Sequence, residues 1–259
     1  MRTLKLTLAY DGTRFVGWQR QAQGTSIQGL LEEALARFEG APVTVHGAGR
    51  TDAGVHALGQ VASVRVAGAH DAGTLLRALN AQLPEDVRVT GVEEMASGFH
   101  ARFDARAKTY RYLIRHARTA SPFERAYAWH LSGPLDLDAM RTAAGVLVGT
   151  HDFAAFRSAG TDVSTTWRTV THSSLMVIPD AGLFVPMESE PASCLLAYEV
   201  AGNGFLRHMV RAIVGTLVDV GRGRRTPGEV RALLTDGSRS DAGATAPAEG
   251  LFLVRVDYH

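Results

Sequence analysis

The chain has 259 residues, 46% hydrophobic and 20% charged, enough apolar material for one large domain or two smaller ones and too much for a disordered chain. With 27 basic against 26 acidic residues the formal charge is only +1, so overall basicity does not mark a nucleic-acid binder and only local clusters can argue for one. The single cysteine, Cys194, excludes an internal disulfide and a multi-cysteine metal site, and no membrane-length apolar run or signal-like start is present, so a soluble protein of a reducing, cytoplasmic compartment is expected.

Leu4, Leu6, Leu8 and Tyr10 alternate with polar residues and predict an opening strand that the turn YDGT closes. Thr25, followed three residues later by Gln28, has capping-box spacing, and Ile27, Leu30, Leu31, Ala34, Leu35 and Phe38 recur on one helical face, predicting a helix over 26–39. Strands are predicted at 42–48 and 60–66, a helix over 73–83 stopped by Pro84, and a strand at 87–94, so the first half reads β-α-β-β-α-β. AKTYRYLIRH (107–116) suits a strand. Asp136 or Asp138 then caps a helix bearing Met140, Ala143, Ala144 and Leu147, with Gly149 as its stop. Further strands are predicted at 168–178, 194–201 and 251–258, and a strongly apolar helix over 205–221. Thr226, Pro227 and Glu229 occupy N-cap, N1 and N3 of a last short helix. The segment 179–193, with three prolines and three carboxylates, reads as an exposed loop or hairpin extension. The class is α+β, in two similar halves expected to divide as 1–104 and 105–259.

Nucleotide-cofactor and phosphate-loop motifs are missing; GAGRTD (47–52) puts Asp52 where a dinucleotide fingerprint needs its third glycine. Lys5 and Lys108 are the only lysines, which leaves little room for lysine chemistry, and the ten histidines form no HExxH pair. What stands out is HGAGRTDAGVHALGQV (46–61), where Gly47, Gly49 and Gly54 bracket Arg50-Thr51-Asp52. Such a loop lets backbone approach a ligand and holds a carboxylate at its tip, and an arginine two residues away can keep that carboxylate ionised or bind phosphate. An ordinary Asp-Ala-Gly turn fits the same spacing. Residues 99–125 carry seven basic residues against two carboxylates, with Phe99, Phe103, Tyr110 and Tyr112 interleaved. That surface suits looped or single-stranded RNA, and a strand with buried tyrosines and a solvated arginine edge fits equally. Arg207 and Arg211 lie four apart on the predicted helix, followed by GRGRR (221–225), which also suits a helix dipole.

These residues resemble the TruA-type tRNA pseudouridine synthase family. The matching motifs, in family order, are YDGTRFVGWQRQ (10–21), GAGRTDAGVHALGQVA (47–62), LNAQLP (79–84), FHARFDARAKTYRY (99–112), GTHDFAAFR (149–157), GNGFLRHMVRAIVGTLVDVG (202–221) and APAEGLFLVRVDY (246–258). The resemblance implies two α/β halves whose mostly antiparallel sheets adjoin around a central basic cleft, a homodimer, and isomerisation of uridines 38, 39 and 40 of the tRNA anticodon arm without cofactor or metal. It also implies roles: Asp52 as the catalytic aspartate, Tyr110 as the active-site tyrosine, Arg211 as the arginine pairing with that aspartate, Arg50 as an RNA contact, and Leu251 as an apolar wall of the pocket. Lys108 stands where relatives often have arginine, which keeps the charge but loosens a bidentate phosphate contact, and the 179–193 segment is longer than is usual in the family.

Asp52 attacking C1′, attacking C6, or abstracting the 2′ proton are all compatible with these residues. A non-catalytic RNA-binding module would use the same basic surface, but gains nothing from a carboxylate facing phosphates. A glycosidase-type enzyme needs a second acid near Asp52, and residues 40–66 hold no other Asp or Glu.

Overall fold

A computed structural model describes residues 1–158, 163–178 and 193–259; the 179–193 segment, apart from Ser193, lies outside them. In chain order the elements are β1 (Arg2–Tyr10), α1 (Ile27–Glu39), β2 (Val45–Gly47), β3 (His56–Val66), α2 (Ala72–Gln82), β4 (Val87–Met95), β5 (Ala107–His116) and β6 (Trp129–Leu131). There follow α3 (Leu137–Val146), β7 (Gly149–Asp152), β8 (Trp167–Ile178), β9 (Cys194–Gly202), α4 (Met209–Gly221), α5 (Pro227–Ala232) and β10 (Leu251–Asp257). They fall into two compact units, Met1–Lys108 with Phe252–His259, and Thr109–Leu251. Both are α+β with mostly antiparallel strand pairs.

In the first unit the strand order is β4-β1-β3-β10, with β2 on β3. The alternation of β1 does what it predicts: Leu4, Leu6 and Leu8 are buried, and Leu4 and Leu6 stand opposite Val64 and Ala62 of β3. The other face of the same pair carries Lys5 opposite Ser63. Helix α1 buries Ile27, Leu31, Ala34 and Leu35. Helix α2 docks on β4 through Asn80, whose amide donates to the Val89 carbonyl and accepts from the Val89 N–H, both at 2.8 Å. It ends at Gln82 because Leu83, preceding Pro84, is forced into extended backbone.

In the second unit the order is β5-β9-β8-β7, with β6 parallel to β5. Tyr198 of β9 is fully buried and hydrogen-bonds Ser173 of β8 at 2.9 Å. Every residue of α4 except Arg211 and Asp219 is buried, as expected for a helix apolar on all sides. Helix α5 has the predicted capping box between Thr226 and Glu229, whose hydrogen bonds hold the Glu229 carboxyl below the usual range.

Four details depart from the sequence reading. The cap of α1 is Ser26, whose extended backbone (φ −113°, ψ 153°) lets its hydroxyl accept from the Gly29 N–H. The Thr25 carbonyl accepts from Val16, while the Gln28 amide bonds Gln19, Arg20 and Val45 instead of reaching back to a cap. Strand β3 begins at His56, not residue 60, and includes Gly59 because a Cβ there would lie 2.5 Å from the Val254 carbonyl of β10. Helix α4 begins at Met209, not residue 205, because His208 takes φ +62°. Strands β6 and β7, three and four residues long, leave too short a pattern to be read.

Replacing Ser26 with alanine removes a partner from a buried helix N-terminus and is expected to cost about 1 kcal/mol in chemical denaturation. Thr25→Ala should cost less than about 0.5 kcal/mol; the reverse order would restore the capping-box assignment.

Candidate active site

Asp52 opens a tight turn closed by the Val55 N–H donating to its carbonyl at 3.1 Å, with Gly54 at φ +76° in the third position, where a type II turn needs a positive φ. Its side chain is half-buried while Arg50 is exposed. The backbone of this loop rests on another stretch of chain. Gly17, at φ +102°, lies so close that a Cβ would come within 2.5 Å of the Thr51 carbonyl oxygen, and one on Gly12 would come within 2.0 Å of the Val55 carbonyl oxygen. Trp18 donates its N–H to the Thr51 carbonyl at 3.0 Å and lays its indole against Gly47.

Polar groups fasten this seat. The Tyr10 and Thr51 hydroxyls are 2.8 Å apart in a buried bond, and Gln60 donates its amide to the Gly49 carbonyl at 2.8 Å. Burial pushes the Tyr10 hydroxyl up to about 12 against the lowering effect of Thr51 and Gln60, so it stays neutral and can donate throughout the physiological range. The Gly12 N–H donates to His56 Nδ1 at 3.0 Å, and the His56 ring stacks on Phe252 at 4.6 Å. The loop is therefore held at residues 49, 51, 55 and 56, and its carboxylate is presented from fixed backbone. Lys108 lies against Gly49, its side-chain Cε 3.5 Å from where a Cβ would stand.

Tyr110, Arg211 and Leu251 belong to the second unit, whereas Asp52 and Arg50 belong to the first. Tyr110 is 7% exposed and meets Phe205 edge-on, with ring centroids 5.1 Å apart. Arg211 projects from the otherwise apolar first turn of α4. Its Nε donates to the Ala246 carbonyl at 2.7 Å while its own carbonyl accepts from the Ala246 N–H at 3.1 Å. The strap that follows is fixed by Tyr112, which donates its hydroxyl to the Pro247 carbonyl at 2.8 Å, and by the Leu113 N–H donating to Gly250 at 2.8 Å. Burial and the Glu249 carboxylate raise the Tyr112 hydroxyl, with Arg211 opposing them. Leu251 closes the strap, buried, its N–H on the Ala248 carbonyl. His208, just before α4, is the one described non-glycine residue with a positive φ, a conformation that costs an L-residue about 1–2 kcal/mol.

The sequence reading singled out the Asp52 loop as a candidate but not the cradle under it. YDGT read as a turn, and nothing local assigned Gly17 or Trp18; their signal was a second glycine- and aromatic-rich motif without periodicity. Phe205 was likewise absorbed into a helix pattern.

A profile of the tRNA pseudouridine synthase family matches residues 7–104 and 143–259. The chain is 49% identical over 264 residues to the tRNA pseudouridine synthase A of Solidesulfovibrio magneticus, covering 100% of this chain and 92% of that protein. It is 43% identical over 258 residues to the protein of that name from Geotalea uraniireducens, and 45% identical over 258 residues to that of Brevibacillus brevis, covering 100% of both chains in each pair.

Gly12→Ala and Gly17→Ala separate contact from conformation, since only Gly17 has a positive φ. Both should destabilise by about 2 kcal/mol or more through backbone overlap, Gly17→Ala by about 1 kcal/mol further, and both should speed hydrogen exchange at the Trp18 and Val55 amides. Unchanged exchange at those amides would contradict the cradle.

Proposed function

The chain belongs to the family of tRNA pseudouridine synthases, and on that premise we propose that it isomerises uridines 38, 39 and 40 of the tRNA anticodon arm, with Asp52 carrying the chemistry. The reaction class is an isomerisation: the bond from C1′ to N1 breaks, the uracil turns, and C1′ is rejoined to C5, so no atom is gained or lost. The observation that supports Asp52 is its seat. A carboxylate whose backbone is pinned by Gly12, Gly17 and the Tyr10–Thr51 bond needs no reorganisation when the base arrives, which is what a nucleophile or base requires.

The other roles follow the chemistry of each side chain. Tyr110 offers a ring to stack on uracil and a hydroxyl for proton transfer. Arg211, held through Nε by Ala246, is the guanidinium assigned to pair with the catalytic carboxylate. Arg50, exposed beside Asp52, is an RNA contact, and Leu251 an apolar wall for the base. Unstacking the target uridine costs a few kcal/mol, least in a loop or at a stem end, which favours the anticodon arm. We assign the protein to the cytoplasm, as a homodimer. Among the described residues no helix is long and apolar enough to cross a membrane.

Asp52→Asn keeps size and hydrogen bonding but removes nucleophilicity and basicity. It should bind unmodified tRNA within about twofold of the parent and lose at least about 10³-fold in pseudouridine formation. Substantial product from a folded Asp52→Asn protein, with deamidation excluded by mass spectrometry, would remove Asp52 from the chemistry.

Tyr110→Phe should retain more tRNA affinity than Tyr110→Ala, because only the former keeps the ring; equal affinity of all three proteins would show that the ring does not touch the bound RNA. Light scattering should give twice the chain mass, and a monomer would end the dimer assignment.

A further inference from the structure

The face of β2 and β3 that carries His46 and Ser63, which are register partners, is covered by the turn at 99–104. Ala101 is fully buried there with Ala48 and Val61. Its N–H donates to Ser63 Oγ at 3.0 Å, and its carbonyl accepts from the Tyr258 hydroxyl at 2.8 Å. The turn is closed by Asp104, whose carboxylate accepts from the His100 N–H at 2.8 Å and whose N–H donates to the His100 carbonyl at 3.1 Å.

So rigid an anchor projects its neighbours outward in fixed positions. The rings of His46 and His100 are 4.9 Å apart and those of His100 and Phe103 4.3 Å, each pair tilted by about a third of a right angle (32° and 35°). The Arg102 guanidinium lies 5.8 Å from the Phe103 ring centre. Phe103 is 75% exposed, although a lone phenylalanine of a small turn would be expected to seek cover. Burial and then the neighbouring His46 charge hold His100 below the ordinary histidine range, and its Nδ1 accepts from the Arg102 N–H at 3.1 Å, which ties the ring to the backbone of the turn beside the Arg102 guanidinium.

We propose that His46, His100 and Phe103 form a stacking platform for an unpaired base of the RNA substrate, with Arg102 as the partner of the adjoining phosphate. Bases stack on aromatic rings and on guanidinium planes irrespective of their identity, and a preorganised ring loses little freedom when one lands on it. Strand β2, which bears His46, runs directly into the Asp52 loop. The His46 and Asp52 backbones are therefore within about 20 Å of each other at full chain extension, so the platform engages nucleotides near the target uridine. This inference rests on the reading that the substrate is a tRNA, and it names a contact that reading does not include.

The test measures tRNA affinity across a salt series, together with isomerisation kinetics, for Phe103→Ala, Phe103→Leu, Phe103→Tyr and Arg102→Ala. Phe103 is mostly exposed, so these variants should melt close to the parent. Phe103→Ala should weaken binding about tenfold, raise KM by the same factor and leave kcat within about twofold. Its plot of log affinity against log salt should run parallel to the parent's, because no charge is lost, whereas Arg102→Ala should reduce that slope by about one contact. Phe103→Tyr should bind like the parent and Phe103→Leu like alanine. Parent-like affinity in Phe103→Ala overturns the platform, as does parent-like affinity in Phe103→Leu. A Phe103→Ala protein that changes oligomeric mass but not tRNA affinity also overturns it, by making the ring a contact between chains. Failure of the parent to isomerise uridine in tRNA would instead strike the functional reading, a result separable from all of these.

Discussion

The seating of one backbone on another, Gly12 and Gly17 against Thr51 to Val55, is the constraint on which the first unit depends. A side chain at either glycine would occupy space already filled by carbonyl oxygen, so the loop bearing Asp52 can move only if the 10–18 stretch moves with it. The buried Tyr10–Thr51 bond adds a directional requirement: breaking it takes a partner from a buried hydroxyl, a cost of about 1–3 kcal/mol, while Tyr10 keeps only its longer bond from Gln60 at 3.4 Å. Glycine-rich loops are often assumed to be flexible; here the sequence spends glycines on proximity, and the result is stiffness.

The second unit reaches a similar end by different means. An arginine inside an apolar helix is expensive unless its donors are used, and Arg211 shares Ala246 between its side chain and its main chain. The strap from Gly243 to Leu251 is thereby fastened to α4 at one end, where the Gly243 N–H also reaches Thr216 Oγ1 at 2.9 Å, and to β5 at the other. The left-handed His208 sets where α4 starts, and so the direction in which Arg211 leaves it.

Much of this was legible in the residues because it is local. The alternation of β1, the faces of α1 and α4, and the Thr226–Glu229 box each depend on neighbours within a few positions. The three glycines around Asp52 mark a loop fit for close approach, but an ordinary Asp-Ala-Gly turn has the same spacing, and the role assigned to Asp52 came from the family resemblance. What escaped was tertiary. Thr25 and Ser26 are both fit to cap α1, and the choice is made by Val16, which takes the Thr25 carbonyl. The apolar repeat runs straight through 205–208 and contains nothing to announce a positive φ in a histidine. Gly17 differs from any turn glycine only in what lies across from it.

The first unit is discontinuous: its chain stops at Lys108 and is completed by Phe252–His259. During synthesis the strand that pairs with β3 at His56 and Ala57, and the Tyr258 hydroxyl that caps Ala101, leave the ribosome only after the whole of the second unit. At about 5–20 residues per second the wait between the two pieces is roughly 7 to 30 seconds. The second unit, Thr109–Leu251, is continuous and emerges whole in that interval. The half that carries Asp52 therefore cannot close until the second unit has been made, and removing Phe252–His259 would take the strand paired with β3 away from it.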